Sequence, residues 1–556
     1  MNALFVAVVV LIMYYFAYRM YGTYLSSKIF GLDPERITPA HQINDGIDFV
    51  PTQKKVLFGH HFTSIAGAAP IVGPAIAVIW GWVPALIWIV FGTIFLGAVH
   101  DFGALVVSLR NKGRTVGDIT ADLIGKRAKV LFLLIIFFAL VIVIAVFALV
   151  IASLFMSNPN TVFPIFMEIP LALVLGFLVY KKRKSTTIPA LIAIVLLYFF
   201  IWLGVQMPGF HMPAIFGSAL MTWIVVLLAY CFIASILPVW TLLQPRDYLN
   251  SHQLFVGLGL MAIGLIVARP DIVAPAVQAR PEGAPQILPF LFITIACGAI
   301  SGFHSLVSSG TTVKQINSEK DAKAIGYGGM IAEGILALFA VLACTAGFAS
   351  QTEWAAHYAS WGAASGLAAK VGAFVNGGAS FLNSYGISLA MGKAIIAVVV
   401  ISFAATTLDS ATRIQRYVVS ELFETVNIKS LTGRYSSTFV AVITAFLLTL
   451  INGGKGGLIL WPLFGVVNQL LAGLALLVVT VYLLKQSKSV KVTLIPMIFM
   501  LIMTGWAMIL NLNKYIAAGN TLLSILGILI FLLEVWMIVE AWNTWRRYRN
   551  GTIEIK

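Results

Sequence analysis

Ser301, Ser305, Ser308, Ser309, Thr311 and Thr312 place six hydroxyls within twelve residues of an apolar stretch, with His304 among them. Such hydroxyls can bond back to a carbonyl four residues earlier in their own helix. Six exceed that structural need. Hard cations prefer oxygen ligands, so Ser308, Ser309 and Thr312 are candidate cation ligands, together with carbonyls freed near Ala66 and Ala69. Those carbonyls belong to a second pattern. Between Ser64 and Pro74, two glycines and two prolines fall within eleven residues. Helix breakers in a span expose backbone groups that persist only against protein or a water-filled cavity. Amides at the start of a resumed helix carry partial positive charge, so a carboxylate is the expected guest of Gly67, Ala68, Ala69 and Gly73. The backbone from Gly67 to Gly73 is expected to be non-helical near the midplane.

A further break is expected at Ala234 to Pro238, ahead of Trp240, with a simple proline kink as the alternative. Ser64, Trp240, Ser301 and Gly302 would then face a bound solute. Ionisable side chains within spans are costly and serve as proton or ion carriers in many membrane proteins. Asp101 beside His100, Glu333 in mid-span, and Asp409 beside Thr406, Thr407 and Ser410 are the candidates. Asp409 is the first choice for a proton, with Glu333 next. Arg413, one turn on, also allows Asp409 to be a permanently charged structural partner. Glu534 and Glu540 have Arg546 and Arg547 nearby to balance them. His60, His61 and His100 could supply ligands to a divalent metal. Neighbouring histidines on a helix point about 100° apart, which favours a hydrogen-bonded pair instead.

The elements that must position these groups are membrane helices. Of 556 residues, 60% are hydrophobic and only 10% charged, against roughly 25% charged in soluble domains. Apolar runs of about 20 residues predict an all-α polytopic protein with about fifteen spans, at 3–19, 58–80, 84–109, 129–155, 165–180, 187–206, 218–244, 251–268, 288–312, 323–350, 391–412, 436–451, 457–483, 492–512 and 519–545. If these alternate across the bilayer, 30 of the 36 Lys and Arg fall on one side and 6 on the other. The rich side is expected to be cytoplasmic, with the N-terminus outside and the C-terminus inside. The basic charge therefore needs no nucleic acid to explain it. Residues 2–20 lack a basic leading segment and are expected to be a retained anchor. Cys231, Cys297 and Cys344 lie in apolar runs and argue against a disulfide scaffold. The connection from Gln351 to Ile387, with Trp354, His357, Tyr358 and Trp361, is either a linker or an external cap.

No hydrolase or metalloprotease motif is present, and Gly453 to Gly457 lacks the spacing of a phosphate-binding loop. The chain is expected to be neither an enzyme nor dependent on a cofactor, with a proton or sodium ion as coupling ion. The broken segments near Gly67 and Pro238 lie five crossings apart and so run oppositely, the arrangement of inverted-repeat transporters. The division expected is an anchor and cytoplasmic loop over 1–57, five-helix repeats over 58–206 and 207–435 with an external loop at 351–390, and four accessory helices over 436–556.

The runs Phe58-Gly59-His60-His61-Phe62, Ser64 to Pro70, Asp101-Phe102, Ser301-Gly302-Phe303-His304-Ser305 and Ser308 to Thr312 closely resemble those of the carbon starvation protein A family. Gly326 to Met330, and Thr406 to Asp409 with Arg413, extend the resemblance over most of the chain. The resemblance implies a bacterial inner-membrane transporter of the amino acid, polyamine and organocation superfamily, induced on nutrient limitation and importing short peptides or pyruvate by proton symport. The core would then be LeuT-like. A sodium-coupled symporter, a gated channel lined by broken helices and a membrane sensor are the rivals, the last lacking any large cytoplasmic segment for an output domain.

Overall fold

The computed structural model describes residues 1–182, 187–451 and 456–549. Arg183, Lys184, Lys455 and Lys556 of the charge partition, and Gly453 and Gly454 of the glycine run, lie outside the described residues. Among the described residues the chain is helical, with no strand. Among the described residues twelve helices are long and apolar enough to cross a bilayer, thirteen if the pair Lys54–Ala66 and Ala69–Trp80, bent by 43°, is one span. The fifteen expected spans differ from this at two places. Arg434–Thr449 is only 16 residues long, and 288–312 is divided into Ile287–Thr294 and Gly302–Gly310. The stretch read as a connection holds three helices that were not expected, Gln351–His357, Trp361–Ala364 and the longer Leu367–Asn383.

Lys126–Ser157 is apolar on every face, which requires burial on every face. It is sheathed accordingly, packing along Leu389–Thr425 at the centre of the bundle. Thr187–Gln206 instead exposes Ile188, Leu191, Ile192, Val195 and Phe199 on one side, the surface that lipid would cover. Helix ends gather on two faces. On one, Arg110 pairs with Glu319 at 2.6 Å, Lys54 with Asp321 at 3.7 Å, and Lys485 reaches the Asp122 carbonyl at 2.9 Å. On the other, Val273 donates to the Thr345 carbonyl at 2.9 Å and Trp82 to the Pro275 carbonyl at 3.3 Å. Arg110, Lys54 and Lys485 all belong to the side counted as rich in Lys and Arg.

Three interruptions divide the helices. The first is narrower than expected, confined to Gly67 and Ala68, because Pro70 sits in the first turn of Ala69–Ala77 where a missing amide costs nothing. Gly67 has φ +54°, and a Cβ there would stand 2.5 Å from the Thr407 hydroxyl, so no other residue fits. The second follows Ile236, where the chain turns extended before Leu243–Ala268 begins. The third, not expected, runs from Ile295 to Ser301 around Gly298 at φ +90°.

Candidate functional site

The first and third interruptions meet. Going along the two segments in opposite directions, the Trp80 indole donates to the Pro285 carbonyl at 3.1 Å, and His61 Nδ1 lies 2.9 Å from the Thr312 hydroxyl. Between these points a Cβ on Gly73 would stand 2.6 Å from the Thr294 carbonyl, and one on Gly298 would stand 3.4 Å from Pro70. The broken helices are therefore antiparallel with their breaks in contact. The break after Ile236, expected to partner the first, lies instead at the basic face. There Arg413 donates to the carbonyls of Ala234 at 2.8 Å and Leu237 at 2.6 Å, and Val239 donates to Ile47 at 3.0 Å. Trp240 goes with it: its indole donates to the Gly46 carbonyl at 3.2 Å, away from Gly67.

Each central break is braced by side chains. The Ser64 and Ser410 hydroxyls are 2.9 Å apart, and Thr407 donates to the Ser64 carbonyl at 3.4 Å. Asn468, in the helix Gly456–Lys485, accepts from the Phe303 amide at 2.9 Å and donates to the Ser301 hydroxyl at 2.9 Å. Gly302 packs so tightly on the Asn468 carbonyl that a Cβ would overlap it. Asn468 was missed in the sequence, although the adjacent amides Asn468 and Gln469 within a long apolar run were a signal available there.

Beside the third interruption lies an unbroken line of ionisable groups, all fully buried. His100 Nδ1 is 2.7 Å from one Asp101 oxygen, and the other is 2.9 Å from His304 Nδ1. His304 Nε2 is 3.2 Å from one Glu333 oxygen. The other Glu333 oxygen accepts from the Gly298 amide at 2.8 Å, inside the break itself. The Nδ1 contact is a hydrogen bond, whereas Nε2 and that Glu333 oxygen stand at ion-pair distance without one, so a proton on Nε2 would face a carboxylate within reach.

The expected metal set does not assemble. Among the described residues no group holding His60, His61 and His100 has ligand atoms within 4.8 Å of one another, and their Nδ1 atoms bond Asp247, Thr312 and Asp101. Among the described residues, Cys297, His304 and Glu333 have ligand atoms within 4.8 Å of one another and form the group compact enough to hold an ion. The cation ligands are likewise dispersed. Ser309 donates to the Ser305 carbonyl at 2.7 Å and accepts from the Val116 amide at 3.2 Å, and the buried Ser308 hydroxyl has no partner among the described residues. The hydroxyls that reach the first break are those of Thr407 and Ser410, from Leu389–Thr425.

Asp409 is not paired with Arg413. Its partner is Arg246 at 2.5 Å, with the Tyr230 hydroxyl donating to the same oxygen at 3.0 Å. Arg413 reaches the other way, to Asp48 at 2.8 Å, where Arg416 joins it at 3.0 Å. Its long side chain extends toward the face where unsatisfied carbonyls and a carboxylate await it. Arg246, counted in the sequence as a loop charge, is 3% exposed. The signal was the polar run from Gln244 to Gln253, too long for a turn and helical here.

The family model described as carbon starvation protein CstA matches residues 2–366 and 345–507. The peptide transporter CstA of Campylobacter jejuni is 36% identical over 572 residues, covering 92% of this chain and 81% of that one. The pyruvate/proton symporter BtsT of Escherichia coli is 32% identical over 590 residues, covering 92% and 82%. Among solved structures, MhsT in complex with L-phenylalanine aligns with a TM-score of 0.51 over 89% of this chain and 98% of its own, at 11% identity. That likeness concerns the fold alone, and it agrees with the LeuT-like class expected.

Proposed function

We propose a transport cycle from one premise: this chain belongs to the carbon starvation protein CstA family. It is a secondary transporter of the bacterial inner membrane that imports a small carboxylate such as pyruvate, or a short peptide, together with a proton, under carbon limitation. The basic face is cytoplasmic, the N-terminus outside and the C-terminus inside. The solute sits between the two central breaks. Its carboxylate lies at the first-turn amides of Ala69–Ala77 beside Gly67 and Ala68, and Ser64, Ser301 and Gly302 line the same junction. The proton is carried by Glu333 with His304 and Asp101. Asp409, held by Arg246, is the permanently charged partner. The observation that carries this reading is the bond between Glu333 and the Gly298 amide, because it joins a protonatable group to the backbone of a break.

The cycle follows from that bond. A charged Glu333 holds the Gly298 amide firmly, and a neutral one accepts more weakly. Loading a proton from outside therefore frees the third interruption to reshape around the solute. Release on the cytoplasmic side restores the bond. Uptake of labelled pyruvate and of a labelled tripeptide into liposomes holding the purified protein tests this. An inward proton gradient should concentrate one of them, and a protonophore should abolish the effect. Accumulation driven by sodium alone would move the coupling to Thr407 and Ser410 at the first break. Non-saturable flux without counterflow would make the protein a channel.

A further inference from the structure

Over the sparsely charged face, three helices, Gln351–His357, Trp361–Ala364 and Leu367–Asn383, form a cap. It is pinned to the second half of the first broken helix. The Tyr358 hydroxyl donates to the Ala75 carbonyl at 2.7 Å, and the Trp361 and Trp80 rings are 5.3 Å apart. In the last of these helices Lys370 is only 6% exposed. Among the described residues no carboxylate pairs with it, and its ammonium stands 5.0 Å from the centre of the Trp461 ring. Burial brings its pKa down to about 8, which leaves it a cation at neutral pH.

Burying an ammonium without a counter-charge is costly, and an aromatic face returns only a minor part of what water gave it. What lies beneath accounts for its position. Trp461 is 5.9 Å from Phe464, and Phe464 is 6.5 Å from Phe147. The Phe147 ring edge is 3.3 Å from where a Cβ would stand on Gly67. An aromatic column thus runs from the lone cation to the first break. We infer that Lys370 and Trp461 form an anion-capture site for organic carboxylates on the outer face, and that Trp461, Phe464 and Phe147 are the closed gate between that site and Gly67. The inference rests on the carboxylate-transport reading above. The arriving carboxylate supplies the counter-charge that the ammonium lacks, and exchanging the Trp461 face for it loosens the top of the column.

The experiment is thermal melting of the purified full-length protein in detergent with pyruvate or trialanine, each as free carboxylate and as amide. The wild type should be stabilised by a carboxylate and not by its amide. Lys370→Gln should need about tenfold more ligand for half the effect, or about 1.4 kcal/mol, while Lys370→Arg stays close to the wild type. Without ligand, Lys370→Gln should melt no lower than the wild type, because an unmatched buried charge has been removed. A lower ligand-free melt would make the ammonium structural and overturn the inference, as would unchanged half-saturation or a wild type that answers to no carboxylate. If Lys370→Gln does not fold, Lys370→Met takes its place, and failure of both variants to fold likewise makes the ammonium structural. Proton-driven uptake by the wild type is scored separately. Carboxylate binding through Lys370 without accumulation would end the transport reading and leave the anion site standing. Accumulation with an indifferent Lys370→Gln would end the anion site alone.

Discussion

Two sets of buried charges lie within this bundle, and their partners differ in kind. Asp101 and Glu333 face imidazoles, whose charge changes near neutral pH. Asp409 and Asp48 face guanidinium groups, which do not deprotonate in proteins. The first set touches a break in mid-bundle through Gly298. The second ties Leu389–Thr425 to Leu243–Ala268 and to the loop before Lys54. In the proposed cycle the first set exchanges a proton, and the second stays charged and holds elements in place. A carboxylate's depth says little about its use until its partner is known.

The largest effect should come from breaking the fixed set. Arg246→Ala leaves Asp409 buried and unmatched, at a cost of about 3 to 5 kcal/mol, so folded protein recovered from membranes should fall sharply. Asp409→Asn should likewise reduce folded protein and exchange together. Normal folding with loss of accumulation alone would make Asp409 the proton carrier and reverse the comparison. Glu333→Gln comes next. The amide oxygen still accepts from Gly298, so folding and counterflow should persist, while proton-driven accumulation in liposomes falls about tenfold or more. Full accumulation by this variant would remove Glu333 from the proton path.

Asn468→Ala should have a smaller effect, about 1 to 3 kcal/mol, because it strips the Phe303 amide and Ser301 of their partner. Exchange should slow while the ratio of proton-driven accumulation to exchange stays unchanged. The smallest effect concerns Asp48. Burial alone would raise its carboxyl, but Arg416, Arg413 and Lys314 outweigh burial and hold it at about 2, below the ordinary 3.8. Its stabilising contribution is therefore complete above about pH 4 and is lost as pH falls toward 2. Asp48→Asn should lower the melting temperature by the same modest amount at every pH from 5 to 6, below the range in which Lys314, brought down to about 8 by burial, loses its proton. A gap that changes across that range would assign the titration to the wrong set.

The first break was legible in the sequence because glycine and proline act locally, at Gly67 and Pro70, whatever surrounds them. Glu333, Asp101 and His304 were visible as ionisable groups in apolar runs. Their assembly was not, because it depends on Gly298, an isolated glycine whose effect appears only where Pro70 packs against it. The Arg413 partner was misassigned for a related reason. Spacing offers Asp409 four residues away, whereas the fold offers Asp48 and two freed carbonyls. Leu367–Asn383 was hidden by its Gly and Ala content, which lowers hydropathy. In the structure those small residues permit close contact, with Gly377 set so near the Ala343 carbonyl that a Cβ would overlap it.

If the proposed cycle loads one proton at the junction between Glu333 and Gly298, a ceiling follows on the work the protein can do. A proton travelling with a monovalent anion moves no net charge, so the membrane voltage contributes nothing and the pH difference alone does the lifting. Each unit of that difference supports about a tenfold concentration ratio and no more. Such a carrier would fill steeply in acid surroundings, stall as the medium turns alkaline, and run backwards when the cell becomes the more acidic side.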